Sequence, residues 1–543
     1  MAKNKVNHNV EIIDLFGDSL NQTPVKIAPE AVKADSASKT SNLKPGGGNQ
    51  PKTGPKKPPA PPTSGSNAVK VKAKVATVGI PSKNNTVVTK DALELARSNY
   101  QEYSLYIASG RAYPNLIDGA KSVQKRVIYS LYKKAPRSII KVAEAAGYCL
   151  DMHPHPTAVP EVIVSLGDTS NKFNFLDKQG NFGNRIKNIE ASAPRYIGCR
   201  LSDLAIDLTC DGVEYCPTVT GELDKPEPVA LPTLLPLCFL NSMSGIPAGL
   251  PKLNIPSLDI EGMFDYYLDI LKHKDLNYVP KKLPIPNVGV PVLSSKCEWE
   301  DVLILGKGTI RLAPEMEIDK NGTITITAMP SSKSAEHVRK IIEKEILLDK
   351  VDMRDESTYE TRIVIEKVFK KQCDMQEVYD RLYKKLQASE TYNLAFFDQD
   401  HIYVPCSFDL VVKSNLNYLI ETHTNRLTHQ IADNIEKLLV LQIIESLKKT
   451  NNWKDIFDLS YDDAVSFIEA RFGQCTKEIA QEVLRKPMSY LTRAHDKEIT
   501  DLQKIIDDLK NDQSDIFEML TKKYKALKTR VLKEVQKNTT KFI

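Results

Sequence analysis

The sequence predicts a multidomain α+β protein, and three observations carry that expectation. Short helices with tight breaks fill the stretch after residue 91, alternating β-formers and dense proline occupy the middle, and two long helical stripes follow. At 543 residues the chain has room for several domains and a large core. A composition of 41 % apolar and 26 % charged residues is that of an ordinary soluble protein. No apolar run approaches the ~18–20 residues that span a bilayer. The start, MAKNKVNHNVEII, lacks the apolar stretch of a secretory signal. The expectation is a cytoplasmic protein with no membrane partner. Nine cysteines without a C-x-x-C pair read as reduced thiols, which excludes a disulfide scaffold and argues against structural zinc.

The charge is unevenly placed. Residues 1–90 hold 14 Lys, no Arg and 5 acids, a balance of +9, so the remaining 453 residues carry −4. Basicity belongs to the tail, and any polyanion site must come from a local cluster. Within the tail, KPGGGNQPKTGPKKPPAPPTSGS (Lys44–Ser66) cannot bury enough apolar area to offset chain entropy and reads as a disordered tether. The apolar island Val10–Leu20 is either a docking motif, led by Leu15 and Phe16, or an inconsequential sticky stretch.

Folded sequence is expected from Asp91, an N-cap with Glu94 three residues on, and its helix should run to about Ala108. A second helix follows the Asp118-Gly119 break with Val123, Val127 and Leu131 on one face; a third covers Ile139–Ala146 and a fourth runs from Thr157 to Leu166. This is either a helix-turn-helix array or a plain helical subdomain. Farther on, TIRLAPEMEI and TITITAM around Asn321-Gly322 spell a hairpin, and the prolines of 217–256 argue for extended segments. In the last third, Leu416, Ile420, His423, Leu427, Ile431, Ile435 and Leu438 form one helical stripe. A second stripe runs from Ile499 to Val531 with an interruption at Gln513. Two long helices around a compact unit predict an antiparallel coiled-coil arm with a knob, the alternative being a bundle packed on the body.

Nucleotide binding can be set aside, because Asp301 stands where the first glycine of a phosphate loop ending at Lys307 would be. Asp398-Gln399-Asp400 has no glutamate cluster beside it and reads as a solvated turn more readily than as a metal site. A cationic group is more informative: Arg111, Lys121, Lys125, Arg126, His153 and His155 fall within 45 residues. Lys121 and Lys125 share a helical face with Arg126 beside them, which suits either a solvated basic face or the phosphates of a polyanion. His153-Pro154-His155 alone is more often structural than ligating. Tyr196 follows Arg195, and a phenol of pKa ~10 needs nearby positive charge to act as a nucleophile.

GRAYPNLIDGAKSVQKRV, HPH, QGNFG, PRYIGCRL and LNSMSGIPAG occur in one order, and together they make the chain recognisable. From about residue 91 to 543 it resembles the breakage-reunion subunit of type IIA DNA topoisomerases, the DNA gyrase A-like family, and within it most closely the T-even-type bacteriophage branch. The resemblance implies a winged-helix DNA-cleavage domain over 91–215, a mixed α/β tower over 216–412, and a coiled-coil arm over 413–543 with a dimerisation knob at about 453–486. It implies Tyr196 as the nucleophile that holds the 5′ DNA end and Arg195 as the stabiliser of the transition-state phosphate. Arg111, Lys121, Lys125 and Arg126 match the family's basic positions, and His153 and His155 its histidine pair beside the scissile phosphate. Ile246 matches the isoleucine that wedges between base steps.

Two departures stand out. Pro156 replaces the glycine of the family's H-P-H-G, with one residue fewer before Thr157. Thr157 and Glu161 then fall where relatives contact quinolone-type drugs, and Lys125 stands where many relatives have arginine. The implied partners are double-stranded DNA, a second copy of the chain, and a large subunit that carries the ATPase and the TOPRIM carboxylates. The implied cofactors, Mg2+ and ATP, are expected on that large chain. ATP-driven relaxation and decatenation without negative supercoiling is the expected activity, since little sequence follows the arm. The expected location is the cytoplasm, at the nucleoid, or the host cytoplasm for a phage-encoded chain. Two alternatives remain: a catalytically impaired DNA-binding or architectural protein on the same fold, and a metal-independent enzyme forming a 3′ link.

Overall fold

The computed structural model describes residues 91–543 apart from 185–188, 347–349, 359, 369–372, 451–452, 474, 488 and 536–539. The Lys/Pro-rich tail and the island Val10–Leu20 lie outside the described residues. Mixed α+β architecture is observed, with three separate apolar cores.

The first core begins with α1 (Ala92–Ile107), capped by Asp91, whose side chain accepts from the Leu93 amide at 2.7 Å. The chain then turns at Asp118-Gly119. Asp118 is fully buried and accepts from the amides of Ala120 and Leu231. Gly119 sits at φ +65°, where a Cβ would meet Cys238 and Pro236 at 2.9 Å, so only glycine fits this turn. Helix α2 (Ser122–Lys134) follows, then β1 (Ile140–Lys141), α3 (Val142–Cys149) and α4 (Ala158–Leu166). The sequence predicts helix from Ile139, but Ile140 and Lys141 pair with Cys199 and Gly198 instead. They form the edge of an antiparallel sheet in the order β1-β3-β2, completed by β2 (Leu176–Gln179) and β3 (Gly198–Leu201). Helix α5 (Asp203–Thr209) is capped by Ser202, and the proline-rich stretch becomes two hairpins. The first pairs β4 (Thr218–Thr220) with β5 (Pro226–Pro228), the second β6 (Met243–Gly245) with β7 (Leu253–Ile255). Buried residues on both sides of Cys216, where the resemblance implies a domain boundary, contribute to this core.

The second core is a four-stranded antiparallel sheet over residues 315–367 with the helices Ala335–Ile341 and Met375–Leu386. Its predicted hairpin is present: Glu315–Ile318 pairs with Ile324–Ala328, and Asp319 accepts from the amides of Asn321 and Thr323. Strand Lys307–Leu312 instead pairs with Ala388–Asn393 in another sheet.

The 42-residue helix Phe408–Lys449 spans about 63 Å at 1.5 Å per residue. Helices Asp496–Ser514 and Ile516–Glu534 return along it in the opposite sense. The His495 amide meets Glu445 at one end, and Gln513 meets Thr428 farther back. The break falls at Asp515, two residues after the expected one. Between them, Val465, Ile468, Ile479 and Val483 pack on Val440 and Ile444 as the third core. All nine cysteines are free thiols. No helix among the described residues is long and apolar enough to cross a membrane.

Asn415 ties the long helix to the first core. Fully buried, it donates to the carbonyls of Ile117 at 3.0 Å and Thr233 at 2.9 Å, and accepts from the Tyr267 hydroxyl at 2.9 Å. Asn415→Leu keeps the volume but strands three buried polar groups, each worth about 1–3 kcal/mol. A loss of at least about 3 kcal/mol in chemical unfolding followed by circular dichroism is expected; a loss under about 0.5 kcal/mol, the usual range for surface substitutions, would contradict this role.

Candidate active site

Helix α2 is buried on nearly every side, so its two central cations go inward with its apolar residues. Arg126 is 5 % exposed and Glu227, on β5, is 4 % exposed. Their fork is bidentate, Nε to Oε2 at 2.8 Å and Nη2 to Oε1 at 3.0 Å. The remaining Arg126 nitrogen, Nη1, donates to Glu222 at 3.0 Å and faces Nδ1 of His153 at 3.0 Å. Lys125 donates to the Pro228 carbonyl at 2.8 Å and lies 3.8 Å from Glu227. Burial pulls its ammonium below the ordinary lysine value, with Glu227 opposing.

His153 follows α3, its amide bonded to the Cys149 carbonyl, and its ring is 4 % exposed. Burial, reinforced by the Arg126 charge, lowers its pKa from 6.5 to about 4, so the ring is neutral at physiological pH. An arginine can only donate, so Nδ1 of His153 accepts and the ring proton resides on Nε2. His155 packs edge-on against it at 5.7 Å and meets the Tyr106 hydroxyl at 3.2 Å. That hydroxyl also donates to Glu222 at 3.3 Å.

Arg195 and Tyr196 occupy the turn before β3. Tyr196 is 64 % exposed although the next residue, Ile197, is buried. The Arg195 guanidinium lies over its ring, 4.7 Å from the centroid. Lys141 donates to the Tyr196 carbonyl at 3.2 Å, and the Ala143 amide to that of Pro194. The turn is thus anchored at the N-terminal end of α3 and His153 at its C-terminal end, about 12 Å apart along an eight-residue helix.

A third feature is the tip of the β6–β7 hairpin. Ile246 is 84 % exposed. Gly245 lies so close to Ala112 that a Cβ would overlap the Ala112 carbonyl oxygen. Lys121 donates to the Ser244 carbonyl at 2.7 Å, which fixes the hairpin against the start of α2. Arg111, next to Ala112, is exposed.

The structure therefore gathers Arg126, His153 and His155 into one cluster and holds Lys121 at the Ile246 hairpin. Arg195 and Tyr196 form a separate exposed group. It corrects one expectation: Lys125 and Arg126 do not form a solvent-facing basic surface, because their charged ends are bonded inside. Sequence reasoning missed Glu222, Glu227 and Tyr106. The available signal was that two cations amid an apolar helical stripe need buried carboxylates, yet Glu227 is 101 positions from Arg126. Asp398 caps its own turn through the Asp400 and Ile402 amides. Among the described residues, no group of three or more His, Cys, Asp or Glu is arranged to hold a metal ion.

Comparison with known proteins adds an independent line. The family model for the A-subunit of DNA gyrase/topoisomerase IV matches residues 111–535. The chain is 29 % identical over 327 residues to the DNA topoisomerase 4 A-subunit of Borreliella burgdorferi, covering 59 % of this chain and 50 % of the relative. It is 25 % identical over 450 residues to the DNA gyrase A-subunit of Chlamydia trachomatis, covering 75 % and 53 %. With the DNA topoisomerase 4 A-subunit of Synechocystis it shares 25 % over 486 residues, covering 82 % and 52 %. The chain spans about half the length of these curated relatives.

The His153 environment has a consequence for stability. Between pH 6.5 and about 4 the unfolded chain binds a proton that the folded ring refuses, so stability falls as the pH falls through that window. His423, buried and lowered to about 3, acts in the same direction. His153→Gln should flatten the decline in thermal midpoint between pH 6.5 and 4.5. An unchanged slope would show that His153 titrates normally.

Proposed function

This chain belongs to the DNA gyrase/topoisomerase IV A-subunit family, and from that premise we propose that it is the DNA-cleaving and rejoining subunit of a type IIA DNA topoisomerase. The observation that carries the reading is the exposed Tyr196 phenol with the Arg195 guanidinium against its ring. In the proposed reaction the Tyr196 oxygen attacks a DNA phosphorus, forming the Oη–P bond as the bond to the 3′ oxygen breaks. The phenolic proton is lost and the departing 3′ oxygen gains one. The product is a 5′-phosphotyrosyl link and a free 3′ hydroxyl, and the reverse step reseals the strand. One phosphoester replaces another, so the break is nearly isoenergetic and resealing needs no ATP. Arg195, permanently charged and fork-shaped, suits the charge that builds on the phosphoryl oxygens.

The other elements take supporting roles in this reading. Helices α2 to α4 with the three-stranded sheet form the winged-helix cleavage domain, the second core belongs to the tower, and the long helix with its returning partners is the coiled-coil arm. Arg111 and Lys121 lie beside the DNA path, and Lys125 and Arg126 act from inside as positioning groups. His153 and His155 flank the scissile phosphate. Ile246 enters between base steps and bends the duplex, a few kcal/mol of unstacking being exchanged for a wrapped DNA.

A double-strand break needs two tyrosines, hence a two-fold homodimer, with the helical unit around 453–486 as its second contact. Magnesium fits poorly on this chain alone. Arg195 and Lys141 surround Tyr196, while Glu222 and Glu227 are committed to Arg126. The carboxylates for Mg2+, and the ATPase, are assigned to a large partner subunit. ATP-dependent relaxation and decatenation at the nucleoid is the activity that follows.

Two outcomes test this reading in the complex reconstituted with Mg2+ and its ATPase-bearing partner. Tyr196→Phe should lose covalent DNA–protein adduct by at least about 10³-fold, a loss typical for a removed nucleophile, while DNA affinity stays within a few-fold. Cleavage by that variant at the wild-type level would refute the assignment. Separately, Ile246→Ala should reduce the DNA bend seen by end-to-end fluorescence transfer, and an unchanged bend would remove the wedge role.

A further inference from the structure

The interior of the first core holds an acidic clamp whose effect reaches the surface through two side chains. Glu227 receives two parallel hydrogen bonds from Arg126, which fixes the guanidinium plane. With that plane fixed, Nη1 is aimed at Nδ1 of His153 and at Glu222. Arg126 has no acceptor atom and does not lose its proton, so the contact at Nδ1 admits one tautomer of the neutral ring. The same carboxylate lies 3.8 Å from Lys125, so Glu227 compensates two buried cations. Glu222, on the turn between β4 and β5, completes the shell. It accepts a hydrogen bond from the Tyr106 hydroxyl, whose oxygen is then left to accept from Nε2 of His155.

We propose that Glu227 is a positioning residue for strand cleavage: through Arg126 it holds His153 as the neutral ring with its proton on Nε2, so that His153 presents a hydrogen-bond donor to the DNA phosphate. The proposal rests on the reading of this chain as a DNA-cleaving subunit. A carboxylate held one residue behind a histidine, setting its tautomer, is a recurrent device in enzymes. Here an arginine relays it, and a histidine free to take the other tautomer would offer the phosphate a lone pair. That would repel a phosphoryl oxygen where a donor attracts it.

The test is a double-mutant cycle on single-turnover cleavage by the reconstituted complex. Glu227→Gln keeps the shape and one acceptor but removes the charge and half of the fork. It should slow cleavage about 10- to 100-fold, the range found for carboxylates that orient metal-ligating histidines from behind, with residual adduct still on Tyr196. Glu227→Asp should recover part of the rate. The decisive variant is the double mutant, Glu227→Gln with His153→Ala, which should cleave within about two-fold of His153→Ala alone, because the clamp then has nothing to orient. Multiplying penalties in the double mutant would overturn the proposal, as would a Glu227→Gln rate within two-fold of wild type. A second measurement needs no cleavage: ¹⁵N spectra of the histidine-labelled full chain should show Nδ1 of His153 unprotonated and Nε2 protonated, shifting toward a tautomer mixture in Glu227→Gln. A mixture already present in the wild type would also overturn it. Failure of wild-type cleavage to yield any Tyr196 adduct would instead count against the parent reading, with the spectra still deciding the clamp.

Discussion

A guanidinium that keeps its charge at any attainable pH sits inside the first core, and much of the surrounding architecture answers to it. Arg126 enters the interior because α2 is buried on nearly every side. Once there it needs carboxylates, since leaving a buried charge unpaired costs about 3–5 kcal/mol. Glu227 and Glu222 meet that need from a hairpin about 100 residues away, and this draws the proline-rich segment across α2. His153 completes the shell as an acceptor, so one pairing requirement fixes a hairpin, a helix and a histidine together.

Satisfied buried polar groups and exposed, unpacked side chains are divided between layers. The interior bonds are short and satisfied: the Arg126 fork, the Asn415 junction with the long helix, and Tyr524 donating to the Leu234 carbonyl at 2.6 Å. On the outside stand groups that such packing would ordinarily cover, among them Tyr196 and Ile246. Each is displayed at the end of a rigid element. Tyr196 rides on the turn held by Lys141 at the sheet edge, and Ile246 on the hairpin held by Lys121. An exposed phenol and a bare isoleucine side chain are of little use to folding, and in the proposed reading both serve a ligand as long and stiff as a duplex.

Much of this organisation is legible in the sequence, and the exceptions share a cause. Helices α1, α2 and α4, the Asp319–Gly322 turn and the long stripe from Leu416 to Leu438 follow from local periodicity and capping. Exclusion of a phosphate loop also has its structural counterpart: Gly306 ends a helix at φ +72° and Lys307 begins a strand. What local pattern does not reveal is pairing across long separations. Ile140 and Lys141 look helical until Cys199 and Gly198 recruit them into a sheet. Lys125 and Arg126 look like a solvent-facing basic surface until Glu227 and the Pro228 carbonyl claim them. At Tyr196 the sequence supplies the residue and its neighbour, and its exposure comes from the turn's anchorage in the fold.

Where DNA becomes attached decides whether Tyr196 is the nucleophile. Wild-type complex would be denatured during cleavage of end-labelled duplex, then digested with protease, and the peptide carrying DNA identified by mass spectrometry. Attachment of a 5′ phosphate to Tyr196, leaving a free 3′ hydroxyl on the other strand end, is the predicted result. Attachment at another side chain, a 3′ linkage, or no covalent nucleoprotein at all would contradict it.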